Sequence, residues 1–228
     1  MAGRSDRCGP VGQGLRSGIV FDKSPARKAS ARPAPVQRRG VERVQAILEA
    51  AETLLREQGY EAATLKAISE RTGIPLASMY HYFADRNHVD VELVRRHAER
   101  LDSRIADALE HAAPGSLSQA VGGIVDILVG YCREFPDFVE LWYFGRSPAI
   151  GEVAKAFDAE LAERFWRYLI DRNLLDGDTP QLAVELAFEA GSRLFDVAFR
   201  RSAGGDEPTI AELKRLVTAY LGTYAPQD

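Results

Sequence analysis

The chain has 228 residues, of which 46% are hydrophobic, 27% charged and 9% aromatic, a composition typical of a folded globular protein. This composition excludes collagen-like and wholly disordered chains, and the length suffices for one large domain or two small ones. The formal net charge of −4 argues by itself against a nucleic-acid partner.

Membrane and secretory signals are missing from the sequence pattern. The longest uncharged stretches contain Gly, Pro and Ser and are too short to span a bilayer. The amino terminus lacks an apolar run followed by a cleavage site, so we expect a cytoplasmic protein with no membrane partner. Cys8 and Cys132 lie far apart and form neither a C-x-x-C pair nor a disulfide framework, which predicts plain thiols.

Positive charge is concentrated at the amino terminus. Residues 1–40 hold nine Lys or Arg against two Asp, a net charge of +7. The rest of the chain therefore carries −11, an asymmetry typical of a protein that touches a polyanion at one end. Residues 1–35 are rich in Gly, Pro, Ser and Arg without apolar periodicity, which predicts a disordered basic extension. A solvated leader without function has the same composition, so its contact with DNA stays open.

Three helices are predicted in the segment 36–85, which we interpret as one domain. Their approximate bounds are 36–58, 65–72 and 75–83. Gly59 and Gly73 end the first two helices because glycine adopts the left-handed conformation common after a helix. Thr64 is placed to cap the second helix. Two short helices around a tight glycine turn form a helix-turn-helix candidate.

Six further helices are predicted in the segment 86–228, interpreted as a second domain. Their approximate bounds are 86–111, 116–135, 136–144, 147–175, 179–202 and 209–222. The supporting signals are N-cap residues followed by Pro or by Glu or Gln three residues later, at Ser116, Ser147, Thr179 and Thr209. No segment shows sustained strand alternation. The predicted fold class is all-α with about nine helices.

The helix-turn-helix segment carries a motif that resembles the tetracycline-repressor (TetR) family of bacterial transcription regulators. The matching residues are Thr64, Ile68, Gly73, Ile74, Ser78, Tyr80, Tyr82, Phe83, Asp85, Arg86 and Val89. The resemblance implies a three-helix DNA-binding domain joined to a helical ligand-binding and dimerisation domain. It is strong over about residues 41–89, and beyond them it covers helix number and length only. Pro75-Leu76 and Ser69 depart from the family pattern, so the operator sequence does not follow.

The same segment supports a DNA-reading role on physical grounds. A small core can hold the two short helices at a fixed angle, and its predicted members are Leu54, Leu55, Ile68, Ile74, Met79 and Phe83. An α-helix fits the major groove of DNA. Five residues are predicted on the outer face of the third helix: Leu76, Ala77, Ser78, His81 and Tyr82. Ala77 suits a thymine methyl, and Ser78 and His81 suit a base edge or a phosphate, although His81 as a plain surface residue stays open.

Phosphate contacts are predicted at five further positions. Tyr80 and Tyr82 suit phosphates, which fix register without reading sequence, while core aromatics are the alternative. Thr64 lies at a helix amino terminus, where free N–H groups attract anions, although it has a capping role as well. Arg86 stands where the family usually has Lys and is predicted to clamp phosphate, and Lys66 is a weaker candidate because charged residues are most often solvated.

The last two helices are predicted to form a dimer interface. The helix 180–202 is apolar around more than one face, and the final helix has a narrower apolar stripe. The resemblance implies that two such helices from each chain build a four-helix bundle with two-fold symmetry. The alternative is an intrachain core. A homodimer also suits a palindromic operator, because its two helix-turn-helix segments, here called reading heads, would contact half-sites one turn of the DNA helix apart.

Aromatic residues on the middle helices suggest an apolar ligand pocket. The candidate ligand-binding residues are Tyr131, Phe138, Trp142, Tyr143, Trp166 and Phe188. The candidate polar groups are Asp126, Glu140, Arg146, Glu189 and Arg193. An aromatic stripe at helical spacing is also typical of plain core. No metal-ligand spacing, phosphate loop or nucleophile motif occurs, so we expect no metal, no cofactor and no catalytic residue.

The sequence thus predicts a homodimeric transcriptional repressor that a small apolar or amphipathic effector releases from double-stranded DNA. A ligand-dependent activator and a regulator that requires a co-repressor are alternatives. A helical interaction module with a vestigial helix-turn-helix is the alternative from another class. The effector, the operator, the target genes and the sign of regulation stay open.

Overall fold

A computed structural model of the chain describes residues 35–144 and 147–226. Nine α-helices occupy these residues, and they are α1 (Pro35–Gln58), α2 (Leu65–Thr72), α3 (Leu76–Tyr82), α4 (Arg86–His111), α5 (Leu117–Glu134), α6 (Pro136–Phe144), α7 (Pro148–Asp171), α8 (Gln181–Arg201) and α9 (Glu207–Gly222). A 3-10 turn at Tyr60–Ala62 precedes α2. The described part contains no strand, which confirms the all-α prediction. None of its helices is long and apolar enough to cross a membrane.

The predicted breaks of the helix-turn-helix segment are confirmed. The Thr64 hydroxyl accepts a hydrogen bond from the Ala67 N–H at 3.1 Å and so caps α2. Gly73 has φ of 69° directly after α2, a left-handed conformation that strains other residues. Gly59 has φ of 79° after α1. Local sequence chemistry therefore determines both turns.

Three predicted helix ends differ from the structure. α7 ends at Asp171 rather than near residue 175, since Asn173 takes a left-handed φ of 54°. Thr209 does not start α9, because Asp206 caps it three residues earlier by accepting from the Thr209 N–H at 3.0 Å. Thr179 does not cap α8, and its buried hydroxyl has no hydrogen-bond partner in the described part of the chain. In each case the helix begins or ends at a residue close to the one that the sequence pattern predicted.

Buried apolar side chains form two clusters. The amino-terminal cluster joins α1, α2, α3 and the first half of α4, and five of its six predicted members are buried while Ile74 is partly buried against it. The carboxy-terminal cluster joins the second half of α4 to α5, α6, α7, α8 and α9. α4 contributes Leu93 to the first cluster and Leu101 to the second. α6 likewise contributes Leu141 to the first and Phe138 to the second.

A buried polar junction lies where the two clusters meet. His97 of α4 is fully buried, and its Nδ1 lies 2.8 Å from the Tyr131 hydroxyl. Its Nε2 lies 3.7 Å from Glu52 of α1 and 4.0 Å from Asp137 of α6. Burial, together with Arg100 and the more distant guanidinium groups of α1 and α4, lowers the pKa of His97 to about 4. At neutral pH, α1, α4 and α6 therefore meet around an uncharged imidazole.

Candidate DNA interface and ligand cavity

The outer face of α3 presents small and polar side chains. Ala77, Tyr80 and His81 are exposed, with Tyr80 at 55%, whereas Met79 points into the amino-terminal cluster and is fully buried. The remaining predicted contacts, Leu76, Ser78 and Tyr82, are half-buried. Three exposed positions on one side and an anchoring methionine on the other are what a helix inserted into a groove requires.

The turn before α3 is tied by a hydrogen bond from a residue that departs from the family pattern. The Ser69 hydroxyl of α2 donates to the Ile74 carbonyl at 2.6 Å. The Ile74 N–H donates in turn to the Thr72 hydroxyl at 3.3 Å. These side-chain bonds satisfy backbone groups that neither helix can pair. Ser69 therefore helps to fix the angle between α2 and α3.

Tyr80 and Tyr82 differ in their surroundings. Tyr80 projects from the surface, so the alternative that it is a core aromatic does not describe its position. Tyr82 packs partly against the amino-terminal cluster and makes an edge contact with His81, with ring centroids 5.5 Å apart. DNA contact by either tyrosine stays a prediction, and its geometry is more favourable for Tyr80.

The predicted phosphate contacts of α2 lie at its amino-terminal end. Thr64 and Lys66 are both exposed. Lys66 lies 3.9 Å from Glu70, a loose pair that exposed lysines exchange readily for another anion. Thr64 keeps its capping hydrogen bond, which does not occupy its second lone pair. Both side chains remain available at this helix end.

Arg86 has an internal role that its sequence position did not reveal. Its Nε donates to Asp90 Oδ1 at 2.6 Å, and its guanidinium lies 4.8 Å above the Tyr60 ring. The Tyr60 hydroxyl donates to the other Asp90 oxygen at 2.7 Å. Burial, followed by Asp90, raises the pKa of Tyr60 to about 12. The spacing of Arg86 and Asp90 by four residues was the available signal, and phosphate binding by Arg86 stays a prediction in competition with this pair.

An apolar cavity of about 80 Å³ lies in the carboxy-terminal cluster. Its walls come from α4, α5, α6, α7, α8 and α9. Three of the predicted ligand-binding residues, Phe138, Trp142 and Phe188, line it. Cys132 lines it as well, and burial raises the pKa of this thiol to about 12. An apolar cavity with few polar groups is typical of small-molecule binding sites, which makes this cavity the candidate ligand site.

Two predicted ligand-binding residues lie outside this cavity. Tyr131 is buried in the polar junction, where its hydroxyl donates to the His97 carbonyl at 3.2 Å. Trp166 uses its indole N–H to donate to the Thr179 carbonyl at 2.9 Å. Aromatic residues carrying a polar group are often held in this way by the core. The side chain of Tyr143 lies outside the described part of the structure.

The polar group in the cavity wall is one that the sequence reading missed. Asp158 of α7 and Ser192 of α8 line the cavity, and the Ser192 hydroxyl donates to Asp158 Oδ2 at 3.2 Å. Burial raises the pKa of Asp158 to about 6. Asp158 precedes the buried Leu161, Ala162 and Phe165 by three, four and seven residues, a charge on an apolar stripe that was the available signal.

The polar groups named from the sequence lie elsewhere. Asp126 pairs with Lys214 at 2.5 Å on the surface, and Arg193 pairs with Asp196 at 3.2 Å. Glu189 is exposed, and Glu140 is outside the cavity wall. Arg146 is outside the described residues.

The fold, a helix-turn-helix unit joined to a helical carboxy-terminal part, is that of a helix-turn-helix transcriptional regulator, and comparison with known proteins agrees. Residues 47–89 match the family described as "Bacterial regulatory proteins, tetR family". Residues 116–221 match "Tetracyclin repressor-like, C-terminal domain". A TetR-family transcriptional regulator from Streptomyces coelicolor is 30% identical, with 80% of this chain and 99% of that one aligned at a TM-score of 0.59. The chain belongs to the TetR family of transcriptional regulators.

Curated relatives are also DNA-binding proteins by name. The chain is 33% identical over 116 residues to the HTH-type transcriptional repressor KstR of Mycolicibacterium smegmatis, covering 49% of this chain and 56% of that protein. It is 38% identical over 63 residues to KstR of Rhodococcus jostii, covering 28% and 30%. The matched segments thus span about half or less of these relatives. The predicted family and the predicted class, a DNA-binding transcriptional regulator, are confirmed.

Proposed function

We propose that the protein is a homodimeric repressor whose affinity for a palindromic operator falls when a small apolar molecule fills the cavity. The observation that carries the proposal is the continuity of α4 and α6, each of which packs in both the amino-terminal and the carboxy-terminal clusters. A ligand that rearranges the cavity wall thereby acts on helices that hold the reading head. Curated relatives named as repressors favour this sign of regulation.

Exposed leucines on the last two helices support the homodimer. Leu182 and Leu186 of α8 are 58% and 50% exposed, and Leu216 of α9 is 45% exposed. The first two are four residues apart and so share one face of α8. α8 and α9 pack against each other, and a second copy that covers these leucines would complete a four-helix bundle. Two-fold symmetry then presents two α3 helices to two half-sites.

The ligand site is the cavity that Phe138, Trp142 and Phe188 line. Of these residues, Phe138 and Trp142 belong to α6, whose Leu141 packs in the amino-terminal cluster and whose Asp137 faces the buried His97. RolR, a protein that is 16% identical to this chain and shares its fold at a TM-score of 0.61, has been solved in complex with the ligand resorcinol. The fold is therefore compatible with binding of a small molecule.

Release from DNA follows from differential affinity. A ligand that prefers the conformation with misplaced reading heads weakens operator binding, and the operator must weaken ligand binding by the same factor. Coupling free energies in allosteric proteins amount to about 1–3 kcal/mol, which corresponds to a change in affinity of about 5–150-fold. The named residues have binding roles only, and none needs to act in catalysis.

The test is binding of the full chain to the DNA upstream of its own gene, titrated at several salt concentrations and followed by footprinting. We expect a protected palindrome and a steep salt dependence, because phosphate contacts release counterions. Tyr80→Ala removes an exposed candidate contact and is expected to weaken binding, whereas Tyr224→Phe, far along the chain, serves as control. Sequence-indifferent binding would contradict the proposal, and binding that strengthens with ligand would favour the co-repressor alternative.

A further inference from the structure

The cavity holds an acidic group whose partner is missing from the described residues. Asp158 is the one charged side chain among the described residues that line it. Its hydrogen bond comes from the Ser192 hydroxyl to Oδ2, and no Lys, Arg or His of the described part acts on its charge. The nearby Glu189 adds negative potential. A partly buried carboxylate without a nearby cation is unfavourable, and a cationic ligand would offset that cost.

Apart from Ser192 and Cys132, the other residues that line the cavity are apolar. They include the aromatic side chains of Phe157 and Phe165 on α7, Phe188 on α8 and Trp142 on α6. A hydrated inorganic cation does not fit such a lining, because it keeps its water unless several oxygens replace it. An organic cation joined to an apolar body satisfies both parts of the wall.

We propose that the cavity selects an apolar ligand with a single protonated amine, which forms an ion pair with Asp158 while Ser192 holds the carboxylate in place. The inference rests on the proposed function only in that the cavity is the effector site. Ligands with a carboxylate or phosphate are rejected, since Asp158 and Glu189 repel them. Neutral ligands of the same shape bind through the apolar wall alone.

The experiment compares three compounds that share one apolar body, phenylbutylamine, phenylbutanol and phenylbutanoate, by calorimetric titration of the full chain near neutral pH. We expect the amine to bind about tenfold or more tightly than the alcohol, the range of a hydrogen bond to a charged group, and the carboxylate to bind least. Lowering the pH below about 6 weakens amine binding, because protonation of Asp158 removes its charge.

Asp158→Asn keeps the shape of the side chain and removes the charge. It is expected to abolish the preference for the amine, while binding of the alcohol, which reports an intact fold, changes little. Asp126→Asn is the matched control, because Asp126 is an exposed carboxylate paired with Lys214 and lies outside the cavity wall. Its selectivity is expected to equal that of the unaltered protein.

Three results would overturn the amine assignment: no binding of the amine at millimolar concentration, an amine no tighter than the alcohol, or an Asp158→Asn variant that keeps the preference. The proposed function fails separately. If the alcohol binds and releases DNA without any amine preference, the effector site stands and the ligand class is wrong. If the amine binds selectively but leaves DNA affinity unchanged, the ligand class stands and regulation through the cavity is wrong.

Discussion

The candidate DNA-binding surface consists of exposed side chains on one short helix, whereas the candidate ligand cavity is lined mostly by apolar side chains from several helices. α3 turns exposed side chains such as Tyr80 and His81 outward and is held by one buried residue, Met79. The cavity is lined by residues of six helices and has a single charged group in its described wall. An exposed helix surface depends on a short local motif, whereas a cavity wall depends on residues far apart in the chain. The first is therefore easier to predict from a sequence than the second.

Substitutions in the proposed dimer interface are expected to lower operator affinity most, because a dimer lets two copies of α3 bind together. Replacing Leu182 and Leu186 by Glu places charges on the exposed face of α8. We expect monomers by analytical ultracentrifugation and operator affinity about a hundredfold lower, since linked binding of two half-sites is lost. The variant is expected to keep its helical circular dichroism. A stable dimer in this variant would place the interface elsewhere.

A substitution in the amino-terminal cluster is expected to have the next largest effect. It tests whether DNA binding can be lost while ligand binding in the carboxy-terminal cluster is kept. Ile68→Ala leaves a cavity beneath α2 where the side chain is fully buried, at a cost of about 2–5 kcal/mol in the free energy of unfolding. We expect loss of DNA binding while a cavity ligand still binds the carboxy-terminal cluster. Val41→Ala, at an exposed position of α1 outside the proposed dimer interface, is the control. Equal loss of both activities would show that the two clusters unfold together.

The buried His97, which lies between the two clusters, makes the free energy of unfolding depend on pH. The unfolded imidazole has a pKa of 6.5 and the folded one about 4, so as pH falls the unfolded chain takes up the proton first. The contribution of His97 is complete above pH 6.5 and is lost between pH 6.5 and 4. The loss amounts to about 3 kcal/mol by the usual conversion of pKa shifts.

The measurement is urea unfolding of His97→Phe and of the unaltered protein across this range. Phenylalanine fits among Phe135 and Phe138, and the Tyr131 hydroxyl keeps the backbone carbonyl of residue 97 as acceptor. We expect the variant to gain stability relative to the unaltered protein as pH falls. Parallel curves would mean that folding does not lower the pKa of His97.

Ser69 provides the smallest expected effect. Ser69→Ala removes the hydrogen bond to the Ile74 carbonyl and is expected to lower the free energy of unfolding by about 1 kcal/mol, the net worth of a typical hydrogen bond. Operator affinity should fall modestly because the angle of α3 is less well fixed. Thr53→Ala, which removes a hydroxyl bonded within α1, is the matched comparison. An unchanged operator affinity would limit Ser69 to stability.

Much of the fold could be predicted because the residues that begin and end its helices act locally. Gly59, Gly73 and Thr64 act through their own backbone or side chain, and the helix bounds around them agree with the structure. The start of α9 was misplaced because Asp206 and Thr209, three residues apart, can both cap a helix, and which of them does so depends on tertiary position.

The candidate site was predictable only in part. Phe138, Trp142 and Phe188 were predicted correctly because aromatic residues are common in pocket walls. For the same reason Tyr131 and Trp166 were also predicted to bind the ligand, although they lie outside the cavity. Which aromatic residue faces a cavity depends on helix rotation, which composition does not determine. Asp158 escaped because an acidic residue at the edge of an apolar stripe has the same sequence signature as a solvated one.

Cys132 has a consequence for how long a response lasts. Its thiol forms part of the cavity wall with a pKa of about 12, so about one molecule in 10⁵ carries the thiolate at neutral pH. Electrophilic or oxidising compounds that enter the cavity therefore meet a nearly inert sulfur. We expect occupancy of the proposed effector site to be reversible rather than covalent. The response would then follow the present concentration of the effector and last no longer than the residence time of one bound molecule.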